Sequence, residues 1–307
     1  MRAFIFPGQG SQSVGMGKAL AESSKVAREL FQEVDEALKQ NLSRLMAEGP
    51  IEDLTLTENA QPAIMANALA TLRSAGIDLA ARADFVAGHS LGEYTALAAA
   101  GSFDAATTAR LLKLRGLAMQ QAVPVGQGAM AAVLGASLEM ADAIARAAAQ
   151  GEVCTVANDN DPSQVVISGH CGAIERAIGL AKEMGAKRAL LLPVSAPFHS
   201  PLMEPAARAM EQALAEAPIG TPVVPLYANV TAAPVEDADE IRSLLVQQVT
   251  GMVRWRESIE EMVREGVTEF VEVGGKVLTP MVKRIAPDAA VTSVITMDDL
   301  DALVKEL

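Results

Sequence analysis

The chain has 307 residues, half of them hydrophobic and 3% aromatic, and its 25 Lys and Arg against 38 Asp and Glu give a formal charge of −13. That balance argues against nucleic acid or an anionic membrane surface as a partner, though a local basic patch can sit on an acidic protein. No run approaches the ~20 apolar residues of a membrane helix, the start Met1-Arg2-Ala3-Phe4-Ile5-Phe6-Pro7 is too short for a signal peptide, and Cys154 and Cys171 lie in no zinc-like or C-x-x-C spacing, so a cytoplasmic protein with reduced thiols and no metal is expected.

Residues 3–6 read as a short buried strand. It runs into Pro7-Gly8-Gln9-Gly10-Ser11-Gln12, a loop that Pro and Gly force out of regular structure. Periodicity predicts helices over 25–40 and 59–75, the second with Pro62 in its first turn. A second strand is expected at 84–87, meeting Gly88-His89-Ser90-Leu91-Gly92 and turning directly into a helix over 93–100. Asp104 is placed to cap a further helix carrying Arg110, Lys113 and Arg115.

The middle of the chain changes character. Strand 129–134, helix 138–149, strands 153–157 and 164–168, helix 173–184 and strand 188–194 follow in order, with Asn158-Asp159-Asn160-Asp161-Pro162-Ser163 as the expected loop between the central strands. This βαββαβ order is ferredoxin-like. Gly126-Gln127-Gly128 and residues 193–197 supply hinges on either side. Helices near 203–217, 240–249 and 256–265 then alternate with strands near 223–228 and 267–272, the last ending at Gly274-Gly275. Such alternation argues for a mostly parallel sheet with helices on both faces. The expected fold is α/β: a large domain with an α/β-hydrolase-like core (1–125 and 195–307) carrying an inserted ferredoxin-like subdomain (126–194).

Gly88-His89-Ser90-Leu91-Gly92 fits G-x-S-x-G. A strand-to-helix turn this sharp needs small flanking residues, exposes the serine oxygen at a helix N-terminus, and lets the next backbone N–H face a developing oxyanion. A serine nucleophile needs a base, and the chain has three histidines. His89 sits beside the serine, where neighbouring side chains diverge, so it is suited to lining a pocket. His170 ends a strand of the insert and reads as a surface histidine. His199, in the Pro-bracketed segment Ala196-Pro197-Phe198-His199-Ser200-Pro201 where the chain returns from the insert, is the best candidate base. A hydrolase triad would also need a carboxylate. Asp104, Asp142, Asp159, Asp161 and Glu175 lie between serine and histidine, none just after a convincing strand of the main domain, and a backbone or amide group could orient the histidine equally well.

Phe6-Pro7-Gly8-Gln9-Gly10-Ser11-Gln12, Gly88-His89-Ser90-Leu91-Gly92-Glu93-Tyr94, Leu114-Arg115-Gly116, the Asn158-x-Asn160-x-Pro162-x-Gln164 segment running to Gly169, and Pro197-Phe198-His199-Ser200 occur in this order along nearly the whole chain. Together they resemble the malonyl-CoA:acyl carrier protein transacylases of bacterial fatty acid synthesis. The resemblance implies ping-pong transfer of a malonyl group from malonyl-CoA to the phosphopantetheine thiol of acyl carrier protein, by a monomer with no cofactor. It implies Ser90 as nucleophile, His199 as base, the Gln248 main-chain carbonyl as the group orienting His199, and the backbone N–H groups of Gln9 and Leu91 as the oxyanion hole. Arg115 would grip the malonyl carboxylate, with Gln61, His89, Asn158, Asn160 and Phe198 as further pocket residues. The segment before Trp255 departs from the expected pattern in lacking a proline.

Two other readings stay open on the residues alone. One is a serine esterase or thioesterase in which Asp159 or Asp161 orients His199. The other is a binding module for CoA or a carrier protein that does no chemistry. Docking of an acidic carrier on an acidic enzyme would need a local basic rim, for which Lys187, Arg188, Lys276 and Lys283 are the candidates.

Overall fold

A computed structural model of the chain describes residues 1–194 and 196–306; Ser195, where the return to the large domain is expected to begin, lies outside the described residues. Strands β1 (Arg2–Phe6), β2 (Phe85–Gly88), β7 (Leu226–Ala228), β8 (Ala233–Val235), β9 (Glu269–Val273) and β10 (Ala290–Val294) form one sheet in the order β10-β9-β1-β2-β7-β8. All its pairings are parallel except β7 with β8. Strands β3 (Gly128–Leu134), β4 (Cys154–Asp161), β5 (Gln164–His170) and β6 (Arg188–Leu191) form a second, antiparallel sheet in the order β4-β5-β3-β6. Numbered within this sheet, that order is 2-3-1-4, the ferredoxin-like arrangement expected from the βαββαβ sequence.

Successive apolar residues of β1 point to opposite faces of the sheet and divide the main core. Phe4 and Phe6 face one side, with helices Lys25–Leu38, Thr57–Ala75, Leu91–Ala99 and Ala105–Gln121. Ala3 and Ile5 face the other, with Trp255, Ile259 and Met262 of helix Trp255–Arg264 and Val282 of helix Thr279–Ile285. The antiparallel sheet packs one face on its own helices, Leu138–Ala149 and Cys171–Ala181. Its other face, with Met130, Ala132, Ala157 and Val166, packs against Phe198 of the main body.

Several elements differ from the sequence reading. The long helix starts at Thr57, so Pro62 is its sixth residue rather than part of its first turn. Bonds from Asn59 and Ala60 to the Leu56 carbonyl set the earlier start. Of the expected loop over 158–163, residues 158–161 are strand: β4 continues to Asp161 through two register shifts. Its polar side chains find partners there, since Asp159 pairs with Arg256 at 2.9 Å and Asp161 with Arg284 at 2.7 Å, which fastens the small sheet to helices of the large one. Asn158 also bridges to Val253. β6 stops at Leu191, because Pro193 brings no N–H to the ladder. The edge strands β8 and β10 escape sequence reading: β8 has three residues with Pro234 at its centre, and Thr292 and Ser293 break the apolar pattern of the partly exposed β10.

In the parallel sheet the chain moves outward from β1 through β2 and β7, then returns to lay β9 on the other side of β1. Crevices at the carboxyl ends of strands beside such a reversal are where α/β proteins bind ligands. Gln9 follows β1, Ser90 follows β2 and Asn229 follows β7 at that end.

The turn after β2 is held by contact without spare volume. A Cβ on Gly88 would lie 1.9 Å from the Gly92 backbone, and one on Gly92 would lie 2.3 Å from the Phe6 carbonyl oxygen. Gly92→Ala is therefore expected to destabilise the fold by at least the ~1–3 kcal/mol typical of overpacking, read as a lower urea midpoint at unchanged slope.

Candidate active site

Ser90 sits between β2 and helix Leu91–Ala99 at φ 54°, ψ −111°, a conformation that a residue with a Cβ rarely adopts. Asn229 pins it: its Oδ1 accepts from Ser90 N at 2.8 Å and its Nδ2 donates to the Gly88 carbonyl at 2.7 Å. With the backbone fixed, Ser90 Oγ lies 2.8 Å from His199 Nε2. His199 Nδ1 is 2.9 Å from the main-chain carbonyl of Gln248. A carbonyl oxygen only accepts, so Nδ1 carries the proton and Nε2 presents its lone pair to the serine hydroxyl.

Among the described residues, no carboxylate holds His199. Asp159 and Asp161 are taken by arginines, Asp104 caps helix Ala105–Gln121, and Asp142 pairs with Arg146. The esterase reading that needs Asp159 or Asp161 at the histidine is therefore excluded in this geometry. Burial, together with the Arg115 charge, pushes His199 down to about 3, so the imidazole is neutral and able to accept a proton at neutral pH.

Arg115 is fully buried. Its Nη1 donates to Gln61 Oε1 at 2.8 Å, and its Nη2 donates to Gln248 Oε1 at 2.8 Å and to Ser90 Oγ at 3.1 Å. Gly116 makes this approach feasible, because a Cβ there would lie 2.5 Å from Glu58 Cα of the helix that carries Gln61. Among the described residues, no carboxylate lies within ion-pair distance of this guanidinium. It remains charged despite burial, held by amide oxygens beside a serine hydroxyl.

Gln9, Gln61, His89, Ser90, Leu91, Arg115, Asn158, Phe198 and His199 line one cavity of about 360 Å³, closed on the small-sheet side by Met130 and residues 192–194. Asn160 is a correction. It does not line the cavity but stands behind it, with Oδ1 2.8 Å from His89 Nε2. Gln248 lies beneath the serine as a hub: its Nε2 donates to the Ser90 carbonyl at 2.9 Å and to Glu93 Oε2 at 2.8 Å. Among the described residues, no protein acceptor takes the backbone N–H of Gln9 or of Leu91. His170 accepts a bond from Val153 N through Nδ1 and does not line the cavity.

Glu93 and Asn229 are the site residues that sequence reasoning missed. Glu93 was visible as part of Gly92-Glu93-Tyr94 but read as helix. Asn229 had one signal, its place just after the strand that pairs with β2. Among the described residues, no group of three or more His, Cys, Asp or Glu side chains is gathered as a metal site, and no helix is long and apolar enough to cross a membrane.

A serine on a strained strand-to-helix turn, bonded to a neutral histidine at the carboxyl edge of a parallel sheet, is the arrangement of serine-dependent acyl enzymes. The acyl transferase domain family matches residues 3–287. The malonyl CoA-acyl carrier protein transacylase of Bacillus subtilis is 46% identical over 288 residues, 92% of this chain and 90% of the relative. The acyl-carrier-protein-S-malonyltransferase structure from Bartonella henselae superposes with a TM-score of 0.97 at 50% identity, covering 99% of this chain and 98% of that one. A malonyl-transacylase solved in complex with a type II PKS acyl-carrier protein superposes with a TM-score of 0.94 at 38% identity, covering 100% and 99%. The chain belongs to the acyl transferase family of malonyl CoA-acyl carrier protein transacylases, and it is an acyltransferase.

His199 is buried neutral, whereas in an unfolded chain it is protonated near the ordinary imidazole value of 6.5. Stability from this residue is fully present above about pH 6.5 and is lost as pH falls toward about 3. Urea titrations at about pH 7 and about pH 5 should show the native chain losing roughly 2 kcal/mol more than His199→Gln over that interval.

Proposed function

We propose that the enzyme transfers a malonyl group from malonyl-CoA to the phosphopantetheine thiol of acyl carrier protein, through a covalent malonyl ester on Ser90. One observation carries this reading: Ser90 Oγ lies within hydrogen-bond reach of both His199 Nε2 and Arg115 Nη2. A permanent cation this close to the nucleophile suits an acyl group bearing a carboxylate one methylene away from its reacting carbonyl. The planar guanidinium fork matches that carboxylate. An acetyl group would leave the buried charge unpaired, which costs binding.

In the first half-reaction His199 Nε2 takes the Ser90 hydroxyl proton as the oxygen attacks the thioester carbon. The oxyanion of the tetrahedral intermediate is received by the N–H groups of Leu91, which opens a helix, and Gln9. Collapse expels the CoA thiolate, which takes the proton from His199. The second half-reaction runs the same steps in reverse. The carrier thiol gives its proton to His199 and attacks the Ser90 ester, and Ser90 leaves as its hydroxyl. The Gln248 carbonyl holds the histidine tautomer throughout and stabilises the imidazolium when it forms, the part an aspartate plays in a hydrolase triad. The four candidate rim residues Lys187, Arg188, Lys276 and Lys283 are all exposed, and Arg188 lies on β6, which leads into the cavity wall at Leu192. Their exposure suits docking of an acidic carrier.

Intact-mass measurement after mixing with malonyl-CoA should show one added malonyl group, absent in Ser90→Ala. An unchanged mass, or the same increment in Ser90→Ala, rules out this intermediate and favours a pure binding module. Arg115→Ala should lower kcat/KM for malonyl-CoA by about 10- to 100-fold, the worth of a charged hydrogen bond, while acetyl transfer rises relative to malonyl. Equal loss of both would remove Arg115 as the selector.

A further inference from the structure

Glu93 is a buried carboxylate outside the reacting set, on the helix that begins at Leu91. Its Oε2 accepts from Gln248 Nε2 at 2.8 Å and from Asn229 N at 3.2 Å. Gln248 passes the contact onward, because its side-chain oxygen binds Arg115 Nη2 and its main-chain carbonyl binds His199. Asn229 passes it to the backbone of Ser90. One carboxylate thus touches both residues that place the serine, the histidine and the arginine. It is also the acid linked to Arg115, through the Gln248 amide.

The surroundings make that link the dominant one. Arg115 faces Glu93 from the neighbouring helix, and Tyr94 is coupled to it on its own helix. β2 carries no charged residue. The one charge on β1, Arg2, pairs with Glu269 at the far end of the sheet. Tyr227 of β7 packs edge-on against Phe85. The buried stretch of helix Thr57–Ala75 presents amide, hydroxyl and apolar side chains. The helix carrying Gln248 keeps its charges, Asp239, Glu240 and Arg242, at its opposite end.

We propose that Glu93 is a positioning residue that acts through Gln248 and Asn229, and that its charge balances Arg115 until the carboxylate of the incoming acyl group takes its place. The inference rests on the malonyl-transfer reading. Two carboxylates cannot both lean on one guanidinium without cost. Malonyl binding therefore favours the protonated form of Glu93 and draws a proton from solvent, whereas acetyl binding does not. Burial raises Glu93 to about 7, against the opposing pull of Gln248, Asn229 and Arg115. The carboxylate is thus ionised above that pH and competes with malonyl there, and it is neutral below it.

The test follows acylation of Ser90 by malonyl-CoA and by acetyl-CoA from about pH 6 to about pH 8.5, in the native enzyme, E93Q and E93A. KM for malonyl-CoA in the native enzyme is expected to rise about tenfold across this range, the effect of one pKa unit, relative to KM for acetyl-CoA. In E93Q the side-chain oxygen still accepts both hydrogen bonds but carries no charge. Its malonyl KM should stay at the low-pH value throughout, and it should recover most of the kcat that E93A loses with both acyl groups. E93Q with the native pH dependence would overturn the proposal, as would E93A with native kcat. E93Q carries the test alone if E93A does not fold. A native enzyme that loads acetyl but no malonyl refutes the malonyl reading itself and this inference with it, a result distinct from either variant's behaviour.

Discussion

At φ 54° and ψ −111° the backbone of Ser90 stands where an L-residue is strained, at a cost of about 1–3 kcal/mol for such a position. The strain is held in place from three directions. Gly88 and Gly92 let the strand, the turn and the Phe6 carbonyl approach within distances that any side chain would forbid. The Asn229 amide clamps the backbone on both sides of His89, taking the Ser90 N–H and giving to the Gly88 carbonyl. Gln248 then holds the Ser90 carbonyl. Only in that conformation does the hydroxyl reach His199 and Arg115 together, so the chemistry of the pocket is a consequence of how tightly this turn is packed.

Burial sets the electrostatics of the same pocket. Arg115 is desolvated with no ion-pair partner among the described residues, which is costly for a cation, and three amide or hydroxyl oxygens only partly compensate. Its field and the lack of water keep His199 neutral. A histidine held this far below its usual range is a weak base. In the proposed transfer a carboxylate arriving at Arg115 would relieve part of that field, so that binding of the acid and activation of the base would favour each other.

The two sheets contribute unequally. The parallel sheet brings Gln9, Ser90 and Asn229 to one edge through three adjacent strands. The antiparallel sheet supplies a wall, through Met130, Asn158 and the segment after β6. The Asp159–Arg256 and Asp161–Arg284 pairs, with carboxylates almost wholly enclosed, fix that wall to the main body on the β4 side. Asp159 and Asp161, two of the acids that sequence order offered as partners for His199, are thus spent on joining the two sheets.

Local physics made much of this legible beforehand. The α/β alternation, the ferredoxin-like insert, the glycine-flanked serine and the choice among three histidines follow from periodicity, turn chemistry and residue type, all of which act over a few residues. The resemblance named Arg115 and Gln248, but residue type alone would have left Arg115 as a solvated charge on a helix face, since its helix has little apolar periodicity to show which side is buried. Asn229 was marked only by its place after a strand and Glu93 only by its place beside the glycine-flanked serine, and neither mark told its role. Asn158 to Asp161 read as a loop because their partners, His89, Arg256 and Arg284, lie far along the chain. The sequence by itself determined which residue could be the nucleophile and what kind of turn it needed. Tertiary structure decided that a backbone carbonyl, not a carboxylate, faces His199, and that a buried glutamate stands behind both, because those contacts join positions 93, 199 and 248, which only the packed chain brings within hydrogen-bond distance.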